Sequence, residues 1–383
     1  MSKWKKYRLG DIAQLVKETW KVGDEELPYI ALEHIVEGGL RLQGIGDSST
    51  IASNKFRFNS NCFLFGKLRP YFRKLYRPDF EGICSTDIWV VKPRGDNDKD
   101  FLFYFFANQE FIDLSYSGSS GTKMPRADWN FVSQSIWNFP KPGEQKAIAA
   151  VLSSLDDKID LLHRQNKTLE ALAETLFRQW FVEEAQDDWI YDELKKYISV
   201  VDNRGKTPPN NEVETEYPLI EANALNGEER LVNYSVIKKY VSEQTFFNWF
   251  RNKLTKYDTL ITTVGANIGA MAMFVIEKGN IAQNIIGISA NKISPFYLYQ
   301  LLKYNVNEIL QMDIGGVQPS IKVPHLLSLE IPIPSHEIQK KFDMQIMDFV
   351  LQMEINYRQI HTLEKLRNTL LPKLMSGAVR VKV

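Results

Sequence analysis

The sequence predicts an α+β chain that is written twice. Two mixed α/β domains are each followed by a long helix, and the helices pair as an antiparallel coiled coil about a pseudo-two-fold internal repeat. Three observations carry this. Gly121, Pro125, Pro140, Gln145, Arg164, Gln165, Thr168, Leu169, Glu170, Leu172 and Leu176 recur as Gly315, Pro319, Pro334, Gln339, Arg358, Gln359, Thr362, Leu363, Glu364, Leu366 and Leu370, every pair 194 residues apart. A heptad seam runs through the end of each copy. Prolines stand just ahead of each seam.

The period far exceeds the ~20–50 residues of a solenoid repeat, so each copy is a domain in its own right. Trp4 and Leu9 match Trp189 and Leu194 at a shorter offset of 185, so the middles of the copies differ in length. The resulting organisation is a first domain over residues 1–143, a helix over 144–183, a second domain over 184–336 and a second helix over 337–379.

The first seam holds Ile148, Leu152, Leu155, Ile159, Leu162, Asn166, Leu169, Ala173 and Leu176, spaced alternately four and three. That is the coiled-coil repeat. The second holds Phe342, Ile346, Phe349, Met353, Asn356, Ile360, Leu363, Arg367 and Leu370. Pro140 and Pro142, then Pro332 and Pro334, set the helix entries, and Pro372 with Ser376-Gly377 marks the second exit. At ~1.5 Å per residue a helix from Glu144 to Phe181 spans about 55 Å, the length of a spacer. Neither helix can bury its seam alone, and the simplest partner for each is the other. Asn166 and Asn356 interrupt the seams; they either fix the register or sit at flared ends of the contact.

Within the domains, Phe56–Phe58 and Phe63–Phe65 bracket Asn59-Ser-Asn61 as strand, turn and strand. Ile88–Val91 and Ile285–Ile288 read as buried strands, and 101–114 and 297–310 as short helices.

With 383 residues, 44% hydrophobic and 25% charged, the composition is that of an ordinary globular protein. Aromatics at 12% suit β-rich packing or flat contact surfaces. The two cysteines, Cys62 and Cys84, form no metal-ligand pattern, and a reducing compartment is expected. The charged amino terminus is no signal peptide, and no stretch approaches the ~20 apolar residues of a membrane span, so the expected location is the cytoplasm. The net charge of zero argues against strong nonspecific binding to nucleic acid.

Catalytic motifs are missing. There is no nucleotide-hydrolysing P-loop, and Gly265-Ala-Asn-Ile-Gly269 is too short for a dinucleotide fingerprint. The histidines, at 34, 163, 325, 336 and 361, are scattered, and no metal site is expected. Glu144-Gln-Lys146, with Asp128 upstream, mimics the end of a nuclease site. The second copy has Ile338-Gln-Lys340 there, and an acidic residue in a first helical turn is expected from the helix dipole.

The positive signal is a basic, aromatic run. From Lys55 to Arg77 there are seven basic residues and no Asp or Glu. Lys67, Arg69, Tyr71, Arg73, Lys74 and Arg77, with Lys123 and Arg126 further on, are the first domain's candidate DNA contacts. Lys and Arg bind phosphate, and Arg also reads guanine edges. A solvated, charged strand edge reads equally well here. The second domain lacks the run. Its candidates are Asn203, Arg204, Lys206, Thr263, Asn267, Gln283, Asn284, Gln318 and Lys322, where Asn and Gln suit adenine or serve ordinary turns.

Several stretches together resemble the specificity subunits of type I restriction-modification systems. They are Lys67-Leu-Arg-Pro-Tyr71, Ser85-Thr-Asp87, Glu174-Thr-Leu-Phe-Arg-Gln-Trp-Phe-Val182, Leu370-Leu-Pro-Lys-Leu-Met-Ser-Gly-Ala-Val-Arg380, and the Pro-x-Pro and glutamine ahead of each long helix. The resemblance covers nearly the whole chain. It implies two target-recognition domains, each reading half of a split double-stranded DNA sequence through the major groove. It implies helices that set the half-site spacing and dock two methyltransferase subunits. S-adenosylmethionine and ATP then belong to partner subunits, the latter to a restriction and translocation subunit, and this chain carries no catalysis and no cofactor. The alternative is a repeat-built scaffold or DNA-binding protein that acts without a methyltransferase.

Overall fold

The computed structural model describes residues 4–121, 123–203, 205, 207–225, 229–265, 267–311 and 320–381. Two of the repeat's markers, Gly315 and Pro319, lie outside them. By contacts the chain divides into two units, one made of residues 1–161 and 362–383, the other of residues 162–361. Each unit therefore contains one mixed region and a segment of both long helices.

The repeat is explicit in the strand pairing. In the first unit, Lys5–Arg8 pairs antiparallel with Ile136–Phe139, Lys5 opposite Phe139. In the second, Ile190–Glu193 pairs with Glu330–Ile333, Ile190 opposite Ile333. The offset of 185 on one strand thus meets the offset of 194 on the other. Each unit also has a four-stranded sheet of one order. It runs Ala13–Val16, Ile88–Pro93, Phe63–Gly66, Leu75–Tyr76 in the first unit and Ile198–Val201, Ile285–Ala290, Thr259–Thr262, Met271–Met273 in the second. A short parallel pair recurs as well, Pro28–Ile30 with Gly82–Cys84 and Leu219–Ile220 with Asn280–Ile281.

Both buried strands lie where the sequence predicts them. The expected turn at Asn59-Ser-Asn61 does not make a hairpin, because Lys55–Phe58 and Phe63–Gly66 belong to different sheets. The second strand does not alternate: Phe63, Leu64 and Phe65 are all buried, which suits a strand covered on both faces. Each expected short helix is two helices in tandem, Lys99–Ala107 and Gln109–Ser117, then Pro295–Tyr304 and Val306–Gln311. Residues Phe101 to Ala107 are all buried, so that helix is apolar around its whole circumference and sits inside the core. Much of this core is aromatic: Phe63, Phe65, Phe101, Phe103, Phe106, Phe111 and Phe139 are enclosed.

The long helices are Pro142–Arg178, extended by a π turn over Gln179–Glu183, and His336–Met375. The second passes through Pro372 rather than stopping there, because Leu374 and Met375 beyond it are buried, with Leu371, in the core of the first unit. Gly377, at φ 74°, ends it with a left-handed residue.

Within each unit the two helix segments run antiparallel. In the first, Asp156 faces Arg367 while Glu144 meets Arg380. In the second, Asn166 faces Asn356 and Phe181 packs on Phe342. Ile148, Leu152, Ile159, Leu162, Phe342, Ile346, Met353 and Ile360 are buried, and Leu155, Leu169, Phe349 and Leu363 are half-buried. The seam drifts by one residue in places, so Phe177 and Val350 are buried rather than Leu176 and Phe349. Such drift is expected when an α-helix carries a heptad pattern. Asn356 is 1% exposed and accepts a bond from Gln352 while donating to Asn166 at 2.9 Å. Asn356 is thus enclosed and bonded across the seam rather than at a flared end, with Asn166 half-buried opposite it. Arg367, 2% exposed, donates to Asp156 at 2.7 Å, and Asp156 also accepts the Tyr104 hydroxyl.

The repeated glutamines tie each domain to its helix. The Gln145 amide donates to the Pro140 carbonyl and its oxygen accepts the Asp98 N–H, at 3.0 and 2.9 Å. Gln339 does the same with Pro334 and Ser294, at 2.9 and 2.8 Å. Asp98 and Ser294 are the N-caps of the buried helices, so one side chain fixes the angle between a core helix and a long helix. Glu144 and Asp128 are structural as well: Glu144 accepts from Arg380 and Trp4, and Asp128 caps a helical turn at Trp129–Val132. Gln145→Ala and Gln339→Ala each strand a donor and an acceptor in a buried site, and each is expected to cost ~1–3 kcal/mol. Calorimetric unfolding measures this, and Gln→Ala changes at the exposed Gln165 and Gln359 should leave the midpoint unchanged.

Candidate nucleic-acid interface

In the first unit the chain leaves strand Phe63–Gly66 into a loop whose base is closed by the Gly66 N–H on the Lys74 carbonyl, 2.8 Å. At its tip a single 3₁₀ turn, Pro70–Phe72, stands between Arg69 (φ 50°) and Arg73 (φ 47°). Two left-handed arginines in five residues are unfavourable unless the surroundings impose them. Here they do. The Lys67 N–H donates to the Asp87 carbonyl, the Arg69 N–H to that of Pro125, and the Ala127 N–H to that of Lys67, at 2.9, 2.7 and 2.9 Å. Pro70, the first residue of the turn, is buried. The loop and residues 123–127 therefore form one hydrogen-bonded edge.

The side chains of the basic run divide sharply. Arg77 points inward: it donates to Ser153 Oγ at 2.7 Å and lies 3.3 and 3.5 Å from Asp157 and Asp100. Lys74 donates to the Leu32 carbonyl at 2.7 Å, and burial pulls its pKa down. Burial likewise lowers the pKa of Arg73, with the like charge of Arg367 adding to it. Arg57 pairs with Glu25 and Asp24. Arg57, Lys74 and Arg77 thus hold the fold together, and the expectation that Lys74 and Arg77 face a ligand is corrected accordingly, while Arg73 is half-buried beside them. The partners of Arg57, Lys74 and Arg77 lie tens of residues away in sequence, where no local window finds them.

Tyr71 and Lys123 are exposed, with Lys67, Arg69 and Arg126 half-buried beside them. Arg126 makes a two-pronged contact with Asp87, at 2.9 and 3.0 Å, and this bond holds the Asp87 carboxyl below its usual range. Arg69 places its guanidinium near the Phe72 ring. Tyr71 meets the edge of Tyr116 at 5.5 Å. Asp87 and Tyr116 were not among the candidates. Ser85-Thr-Asp87 was visible as a motif, whereas nothing in the sequence singles out Tyr116.

The second unit repeats the backbone of this edge. The Thr263 N–H donates to the Asn284 carbonyl and the Ile321 N–H to that of Thr263, at 2.7 and 2.8 Å. Lys67, Asp87 and Ala127 thus correspond to Thr263, Asn284 and Ile321. Isolated bridges agree, Leu68 with Arg126 and Val264 with Ser320. Thr263 itself is buried, and its hydroxyl bonds the Asn284 carbonyl, so its role is structural. Asn203 bonds Asn280 and is half-buried. Asn267, Gln283, Asn284 and Lys322 are exposed, and Gln283 donates to Thr207. Arg204, Lys206 and Gln318 lie outside the described residues. Among the described residues the second edge presents the amides of Asn267, Gln283 and Asn284 together with Lys322, where the first presents cations and aromatic rings.

Among the described residues no helix is long and apolar enough to cross a membrane, and no cluster of His, Cys, Asp or Glu could hold a metal ion.

The duplicated fold, with a matching loop edge in each copy, is that of a protein built from tandem recognition units. Residues 1–171 and 187–365 match the family model of the type I restriction modification DNA specificity domain, and the chain belongs to that family. It is 24% identical to the type I restriction enzyme MjaIX specificity subunit of Methanocaldococcus jannaschii, across 76% of this chain and 72% of that one. It is 24% identical to the MjaVIII specificity subunit of the same organism, across 99% and 93%. The type I restriction-modification S subunit from M. genitalium shares the fold, with a TM-score of 0.57 and 16% identity over 97% of this chain and 96% of that one.

Arg77→Ala removes a bond to a half-buried helix side chain and is expected to lower stability by about 1–2 kcal/mol, whereas Lys123→Ala should leave it unchanged. Thermal unfolding of both variants checks this assignment of inward and outward cations.

Proposed function

We propose that this chain gives DNA sequence specificity to a type I restriction-modification complex. Each unit reads one half of a bipartite target through its loop edge, and the long helices set the separation and dock methyltransferase subunits. The chemistry belongs to the partners, which carry S-adenosylmethionine and, in a restriction subunit, ATP. The observation that carries this reading is the pair of equivalent edges: one backbone framework, two different sets of outward side chains. Cations with an arginine fork suit phosphate and guanine, and amides suit adenine.

The helices support docking. Of the nine seam positions, seven differ between the copies. On the outside the reverse holds. Arg164, Gln165, Thr168 and Leu172 are exposed, identical to Arg358, Gln359, Thr362 and Leu366, and exposed again there. At ~100° per residue these four positions fall on one face about 100° wide. Solvent does not require identical residues. Two copies of one partner do.

Reconstitution with the methyltransferase subunit and mapping of methylated adenines in genomic DNA is expected to give two short half-sites around a fixed gap. A continuous motif sinks the reading. The docking face has its own test. Leu172→Asp or Leu366→Asp is expected to reduce the complex, seen by native mass spectrometry, from two methyltransferase copies to one, and the double variant to none. Both positions are exposed, so folding should be unaffected. Two copies on either single variant rule the face out.

A further inference from the structure

The edge of the first unit carries exposed apolar groups that cations alone do not explain. Tyr71 is 45% exposed, Tyr116 52% and Met124 47%. Tyr71 and Tyr116 come from different elements, the 3₁₀ turn Pro70–Phe72 and the helix Gln109–Ser117, yet their rings meet nearly perpendicular, at 87°. Phe72 backs Tyr71, with ring centres 4.8 Å apart. The loop is held at both ends by backbone bonds, so Tyr71 is presented and not merely left outside. Arg69 holds its guanidinium near the Phe72 ring, and the exposed Lys123 adjoins Met124 in the chain, so the patch carries positive charge.

We propose that the Tyr71–Tyr116 pair is a specificity-determining contact for thymine, packing against the C5 methyl group in the major groove of the half-site read by the first unit. This rests on the proposed DNA-reading function. The charge around the patch selects a polyanion as occupant. The major groove of duplex DNA presents one apolar group, the thymine methyl. A pair of ring edges with cations nearby matches a methyl that stands beside phosphates. Among its described residues the second unit has Asn267, Gln283 and Asn284 on its edge beside Lys322, so the two half-sites differ in kind: one read partly by apolar contact, the other with amide hydrogen bonds.

Uracil replaces thymine with the loss of the methyl alone, which gives a direct test. The full chain with its methyltransferase is titrated by fluorescence anisotropy onto duplexes carrying the mapped target, with each thymine of both half-sites changed to uracil in turn. At one or two thymines of a single half-site, uracil is expected to weaken binding about fourfold, the worth of one buried methyl. Tyr116→Ala is expected to weaken binding of the thymine duplex roughly tenfold and to abolish the uracil effect there, while Tyr116→Phe retains both the affinity and the effect. The proposal is overturned if uracil is neutral at every position, if its effect is equally large in Tyr71→Ala and Tyr116→Ala, or if neither half-site contains thymine. It is also overturned if Tyr116→Ala releases the methyltransferase and leaves DNA affinity intact, which would mark the patch as a protein contact. Absence of any sequence-specific binding by the native complex would instead refute the DNA-reading function itself.

Discussion

The structure depends on the burial of two long apolar seams. A 37-residue helix with Ile148, Leu152, Ile159 and Leu162 along one stripe has no stable state in water unless that stripe is covered. The cover comes from far along the chain. Leu371, Leu374 and Met375 share one core with Leu9, Phe139, Ile148 and Leu152. The first unit therefore depends on the segment from residue 362 onward, and Trp4, the first long helix and the stretch after the second meet at Glu144, which bonds both Trp4 and Arg380. The loop-closure entropy of such distant contacts must be offset before they contribute stability. The first unit thus folds around partners supplied from far along the sequence, whereas the second is one contiguous stretch, residues 162–361.

Duplication leaves different traces on different surfaces. Inside the seams residues change together: the polar pair Asp156–Arg367 occupies positions that in the other copy are Val350 and Ala173. Either combination is stable because both members are matched, whereas a single exchange would bury an unpaired charge. Interior packing can therefore drift by paired steps. The tie made by Gln145 and Gln339 is harder to replace, since it needs one side chain that both donates to the proline carbonyl and accepts the N-cap N–H at that reach.

Much of the architecture was legible because it rests on periodic signals. The seam, the interval of 194 and the prolines ahead of the helices are patterns that need no knowledge of the third dimension. Isolated strands such as Ile88–Pro93 were legible from apolar runs, while their partners were not. The candidate interface was half-legible for an electrostatic reason. A run of seven basic residues without an acidic one looks like a positive surface. Its neutralising carboxylates, Glu25, Asp24, Asp100 and Asp157, come from other elements. Tyr116 escaped altogether, because an exposed residue on an amphipathic helix carries no signal until the loop with Tyr71 is seen beside it.

The framework of each edge explains why recognition can vary without cost to the fold. The bonds that hold it use backbone atoms: Lys67 or Thr263 contributes an N–H and a carbonyl, Asp87 or Asn284 a carbonyl, Ala127 or Ile321 an N–H. No side chain is needed for these bonds. Lysine and threonine, aspartate and asparagine, arginine and serine therefore stand at matching points with the backbone geometry intact. What the exchange alters is the chemistry offered outward. The exception measures the rule. Where a side chain on the edge turns inward, as the Thr263 hydroxyl does, it ceases to be available for reading, and Gln283 and Asn284 beside it present the exposed amides instead.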